Sequence, residues 1–156
     1  MERTLVLVKG DGVKRRLIGE ITRRLEAKGL DIRAMQMMDV SRDLAEEHYA
    51  EHREKPFFEE LVEFITSTPV VAMTVEGEGA IGTVRNLMGA TNPANASPGT
   101  IRGDLALSMP DNLVHGSDSP EAVTKELGLF FKPDELVEWT PAIQTWVYDV
   151  SKGSPE

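Results

Sequence analysis

Two spacings of apolar residues alternate along the chain. Residues 4–9, TLVLVK, are an apolar, β-branched run that stops at glycines, which predicts a buried strand. The KGDG that begins at Lys9 reads as a turn. From Val13 the period lengthens. Val13, Leu17, Ile21 and Leu25 recur every four residues on one helical face, and Gly29 supplies a stop. Residues 31–40 predict a second strand, rich in methionine. Residues 41–52 predict a short helix capped by Ser41, and Pro56 suits the first turn of another, which Pro69 follows. Residues 70–77 predict a third strand. Ala80, Ile81, Val84, Leu87 and Met88 mark the next helix, ended by Gly89.

The periodicity then stops. Residues 89–111 carry Pro93, Pro98 and Pro110 with Gly89, Gly99 and Gly103, and a connection this long in a compact domain signals a functional loop. Its middle, PGTIRGDLAL, has room for one helical turn. NLVHG offers a fourth, short strand. Asp118 or Ser119 can cap a helix that has Pro120 at its first position and runs to Gly128. The tail with Trp139 and Trp146 is expected to pack on the body or on a partner chain, and residues 151–156 to fray. Strands alternating with helices exclude an all-α or all-β architecture and predict an α/β class within a single domain, residues 1–156.

Composition narrows the chemistry. The chain has no cysteine, which excludes disulfides, thiolate catalysis and thiolate metal sites. Its net charge is −9, from 17 Lys and Arg against 26 Asp and Glu, which argues against nonspecific binding to nucleic acid or membrane. An anionic ligand would therefore need cations that converge from distant parts of the chain. No apolar run approaches the ~18 residues of a membrane span. The N-terminal stretch lacks the regions of a signal peptide, so the expected location is cytoplasmic.

Two motifs invite specific readings. GEGAIG, residues 77–82, fits G-x-G-x-x-G, but a dinucleotide site also needs a second parallel strand and an acidic residue about 20 residues on. The Pro/Gly loop occupies that place, so a strand-exit turn is the better reading. HYAEH, residues 48–52, fits H-x-x-E-H, which would put His48 and His52 on one helix face around a zinc ion with Glu51 as base. A solvated amphipathic helix competes with that reading, and a zinc-dependent hydrolase stands as an alternative.

His115 has the richest setting. Gly116 beside it permits close approach, and the residues that follow open a helix, whose N-terminus favours anions. Glu126 lies on that helix about two turns on from Ser119, so its carboxylate can face back to the imidazole. Holding one ring nitrogen leaves the other oriented to attack. Lys9 at a strand end, Arg85 on a helix, and Arg102 in the long loop beside Thr91 and Thr100 could converge on a phosphate.

These residues stand in recognisable blocks. NLVHGSDS, ERTLVLVKGDGV, EHYAEHREKPFFEELVEFITSTPVVAM and NPANASPGTIRGD resemble the nucleoside diphosphate kinase family over nearly the whole chain. The resemblance implies a ferredoxin-like fold, a four-stranded antiparallel sheet with helices packed on it, rather than a parallel doubly wound sheet. It implies ping-pong transfer of a γ-phosphate from a nucleoside triphosphate to a diphosphate, with Mg²⁺ carried on the phosphates. His115 would be the nucleophile and phosphohistidine carrier, with Glu126 and Ser117 holding the ring. Lys9 would neutralise the transferring group and reach the sugar, with Tyr49 nearby. Arg85, Thr91 and Arg102 would hold the diphosphate, and Asn112 the sugar hydroxyls. Phe57 would stack on the base, with Leu61 beside it and Met109 on its other face. His48 and His52 would belong to a helical hairpin that lids the nucleotide. Residues 89–111 would help build subunit contacts in a homo-oligomer, commonly a hexamer. The family usually has proline where this chain has Gly10, which removes a fixed φ beside Lys9. A noncatalytic scaffold that keeps the fold is the remaining alternative.

Overall fold

In the computed structural model, which describes residues 1–151 and 153, β1 (Glu2–Val8) lies inside a four-stranded sheet. It pairs antiparallel with β3 (Val70–Gly77) on one side and β4 (Val114–Gly116) on the other, and β2 (Asp31–Met38) pairs antiparallel with the far side of β3. The order is β2-β3-β1-β4, the ferredoxin-like arrangement. No pair is parallel, so GEGAIG is a strand exit: Gly79, at φ 56, leads into α5 (Ala80–Met88).

Helices cover both faces, which explains why β1 and β3 read as continuous apolar runs without alternation. Val6, Val8, Val71, Met73 and Val75 pack with α2 (Ile18–Lys28) and α5. Leu5, Leu7 and Ala72 point the other way, toward α3 (Arg42–His48), α4 (Phe58–Thr66) and α7 (Pro120–Phe130). His115 is directly opposite Leu7 across the β1–β4 pair, so it stands on this second face.

The caps largely match the sequence. Ser41 accepts from the Leu44 amide, Ser119 accepts from Ala122 ahead of Pro120, and Gly29 closes α2 in the left-handed region. Several boundaries differ. KGDG is not a turn: Lys9 is the N-cap of α1 (Gly10–Lys14). The helix expected from Val13 through Leu25 is therefore two helices, broken where Arg16 takes φ 59. α7 runs past Gly128 to Phe130, because Phe130 is buried against the sheet and packing outweighs the glycine. α6 (Ile101–Leu105) supplies the expected turn in the long loop.

The tail packs only in part. Val137 N–H bonds Arg33 O at 2.8 Å and Trp139 Nε1 bonds Ile32 O at 3.3 Å, whereas Trp146, in α8 (Gln144–Val147), is 89% exposed. For Lys152 and residues 154–156 the expected fraying lies outside the described residues. Among the described residues no helix is long and apolar enough to cross a membrane.

A buried ion cluster ties the tail to the sheet. Arg33 sits where the β2 register shifts, reaches Glu76 at 2.7 Å and Asp31 at 3.6 Å, and donates to the Trp139 carbonyl. Removing one member of such a group leaves buried charge without compensation. Arg33→Ala is expected to cost about 3 kcal/mol of stability. Urea unfolding at neutral pH measures it.

Candidate active site

The short strand β4 carries the imidazole, and α7 brings the carboxylate back to it. His115 Nε2 lies 3.0 and 3.1 Å from the two oxygens of Glu126. A carboxylate can only accept, so Nε2 carries the proton and Nδ1 keeps the free lone pair. Ser117, itself buried, does not hold the ring: its hydroxyl donates to Glu126 Oε2 at 2.5 Å and orients the carboxylate. Burial pushes the Glu126 carboxyl up, but the His115 ring and the Ser117 hydroxyl outweigh it, so Glu126 sits below the usual carboxylate range and stays ionised. Gly116 is closely packed against α5. A Cβ there would lie 2.7 Å from Met88 Sδ, so this glycine lets β4 lie against α5.

His115, Glu126, Tyr49, Arg85 and Thr91 line a cleft of about 690 Å³ between the α3 end and α7. Burial raises the Tyr49 hydroxyl to about 12, so it is a neutral phenol. Arg85 Nη1 reaches the Gly116 carbonyl at 3.4 Å.

Lys9, Arg102 and Asn112 do not line this cleft; they form its support on the loop side. Lys9 Nζ donates to Asn112 Oδ1 at 2.7 Å and to Pro110 O at 2.8 Å, and Asn112 Nδ2 donates to Thr91 O at 3.0 Å. Burial lowers the Lys9 ammonium, with Asp11 opposing. The Arg102 guanidinium is buried and donates to the carbonyls of Asn112, Gly89 and Val114 at 3.1, 3.0 and 2.7 Å. Burial first, then Arg85, lowers it to about 10. Phe57 and Met109 are exposed and Leu61 is half-buried; none of the three borders the cleft.

Gly10 has a reason of its own. It is buried, and a Cβ on it would sit 2.8 Å from Thr68 Cβ. Thr68 occupies the space a side chain would need, so the chain beside Lys9 is closely packed despite the missing proline.

The zinc reading of His48 and His52 does not hold. α3 ends at His48, His52 lies in a separate 3₁₀ turn (Ala50–His52), and its ring is 5.4 Å from Phe57. Among the described residues, the group with metal-like spacing is His48, His115 and Glu126. His48 therefore belongs beside His115 and not to a solvated helix face. It is buried, edge to face with His115 at 4.9 Å and with Phe130 at 5.4 Å. The signal was present: Leu44, Ala45 and His48 share one face of α3, and that face packs inward.

An antiparallel α+β domain with a carboxylate-held histidine on a cleft edge and cations behind it points to a class: an enzyme that acts on an anionic substrate. The comparisons give the particular family. The sequence profile of nucleoside diphosphate kinase matches residues 2–136. The nucleoside diphosphate kinase of Rubrobacter xylanophilus is 82% identical over 131 residues, 84% of this chain and 98% of that protein. That of Archaeoglobus fulgidus is 60% identical over 149 residues, 96% of this chain and 99% of that protein. The halophilic enzyme of Halobacterium salinarum, solved in complex with CDP, superposes with a TM-score of 0.92 at 53% identity, covering 95% of this chain and 99% of that one. The chain belongs to the nucleoside diphosphate kinase family and is a phosphotransferase.

Burial pushes His48 down from the usual 6.5 to about 4. Between those values the unfolded chain binds a proton that the folded one refuses, so stability is intact above pH 6.5 and falls as pH drops toward 4. The full loss is about 3 kcal/mol. Denaturant midpoints between pH 7 and 4 are expected to drop more steeply for the wild type than for His48→Gln.

Proposed function

We propose that the protein moves the γ-phosphate of a nucleoside triphosphate to a nucleoside diphosphate through a phosphohistidine on His115 Nδ1. The observation that carries this reading is the Glu126 grip on Nε2, at 3.0 and 3.1 Å, which leaves Nδ1 as the free nucleophile. In the first half-reaction the Nδ1 lone pair attacks the γ-phosphorus. A P–N bond forms, the bond to the β,γ-bridging oxygen breaks, and a nucleoside diphosphate leaves. The ring then carries positive charge, which the Glu126 carboxylate balances without taking the proton. In the second half-reaction a terminal oxygen of the incoming diphosphate attacks the same phosphorus and the P–N bond breaks.

The remaining residues position and neutralise, which is what phosphoryl transfer chiefly demands. Arg85 and Thr91 serve the phosphates from the cleft wall, Lys9 and Arg102 add positive charge from behind it, Asn112 serves the sugar side, and Tyr49 the approach to His115. Phe57 stacks on the base, flanked by Leu61 and Met109. Exposed aromatic and thioether surface suits a slot that accepts any base face. Mg²⁺ enters on the phosphates and supplies charge neutralisation there. Asp118 and Glu121 on the cleft rim suit a hydrated, oxygen-bound ion of that kind, whereas the nitrogen-rich group around His115 does not.

The protein works on the cytoplasmic nucleotide pool as a homo-oligomer, with the family's hexamer as the assembly. β2 is a sheet edge with Met35 and Met37 exposed, a surface that calls for a partner strand or cover.

Incubation with γ-labelled ATP and Mg²⁺ but no acceptor is expected to leave a base-stable, acid-labile phosphate on His115. Added nucleoside diphosphate discharges it. His115→Ala is expected to lose transfer by at least about a thousandfold while keeping its fold. Normal turnover by that variant would remove the assignment. Light scattering on a sizing column is expected to give a mass of several chains.

A further inference from the structure

We infer that Asp11 is a positioning residue for His115, acting through the left-handed backbone of Leu113; the inference rests on the phosphohistidine reading above. Leu113 has φ 72 and is fully buried. A leucine is strained there and stays only where its surroundings overdetermine it. Those surroundings are specific. Leu113 N–H donates to Asp11 Oδ2 at 2.9 Å, and Leu113 C=O accepts from the Lys9 N–H at 2.8 Å. The polar groups of this one residue are thus gripped from two neighbouring positions at the end of β1.

Three further observations show that the grip is built. A Cβ on Gly12 would come 3.1 Å from Leu113 O and 2.8 Å from Val8 Cγ1, so α1 lies this close only because Gly12 has no side chain. The second oxygen of Asp11, Oδ1, is buried with no hydrogen-bond partner. The side-chain bond of this carboxylate is thus the long-range one to Leu113, across 102 positions. The carbonyls on either side of Leu113, those of Asn112 and Val114, are held by Arg102. Val114 alone separates Leu113 from His115. A rotation of the Leu113 peptide therefore moves the Asn112 side chain on one side and the imidazole on the other. Asp11 is not among the residues that line the His115 cleft. It fixes where the ring stands.

The test is rapid-quench measurement of phosphoenzyme formation with γ-labelled ATP and Mg²⁺, over a range of ATP concentrations, for the full chain. The wild type is compared with Asp11→Ala, which removes the acceptor, and Asp11→Asn, which keeps a carbonyl oxygen in its place. The alanine variant is expected to be folded at the assay temperature. Its maximal rate is expected to fall about tenfold or more, with the half-saturating ATP concentration within about threefold of wild type. The asparagine variant is expected to recover to within about threefold of the wild-type rate. If the alanine variant does not fold, Asp11→Ser, whose hydroxyl is too short for the bond, takes its place with the same expectation. A wild-type maximal rate in the acceptor-less variant, a loss confined to the half-saturating concentration, or an asparagine variant as slow as alanine would each overturn the inference. Failure of the wild type itself to form a phosphoenzyme would instead overturn the phosphohistidine reading.

Discussion

Where β1 ends, the sheet hands over to the chemistry. The Lys9 N–H bonds Leu113 O, so the last step of the β1–β4 association is also the first contact between the loop and the strand that carries His115. One residue serves both sides of that junction: its backbone holds Leu113 while its ammonium holds Asn112 and Pro110. Because β1 is internal and covered on both faces, its end is among the least movable points of the molecule. The imidazole of His115 and the ammonium of Lys9 are held in fixed relation because both hang from that point.

The division of labour around His115 follows from the alternation of a strand. Val114 and Gly116 face α5, where Met88 leaves no room for a side chain at 116. His115 faces α3 and α7. There it meets three environments: the ionised Glu126, the neutral ring of His48, and the open cleft. Charge on one side, an uncharged aromatic edge on another and solvent on the third leave the ring one open direction.

Much of this was legible in the chain. The third strand, the caps at Ser41 and Ser119 and the stop at Gly29 follow from period and local chemistry, and His115 with Glu126 follows from a helix-turn spacing. What was hidden depended on distance along the chain. The α1 helix was masked because Gly-Asp-Gly carries turn propensity, and only burial of Gly10 and Gly12 against Thr68, Val8 and Leu113 makes a helix of it. His48 read as a surface histidine because its charged neighbours dominate the local pattern. The backbone partners of Arg102 and Asp11 were out of reach, since main-chain carbonyls and amides leave no mark in composition. The departure at Gly10 also looked different in isolation, because its compensation is Thr68, far away in sequence.

Arg102 has a further consequence. Its guanidinium draws together the carbonyls of Gly89, at the start of the long loop, and of Asn112 and Val114, where the chain leaves it. The loop is thus a closed circuit whose two ends are soldered to one side chain. The stretch around Pro93 and Pro98, which makes none of these three bonds, can change in sequence without altering the distance between the loop's ends. The chain has separated a contour free to diverge from the anchor points on which the position of the imidazole depends.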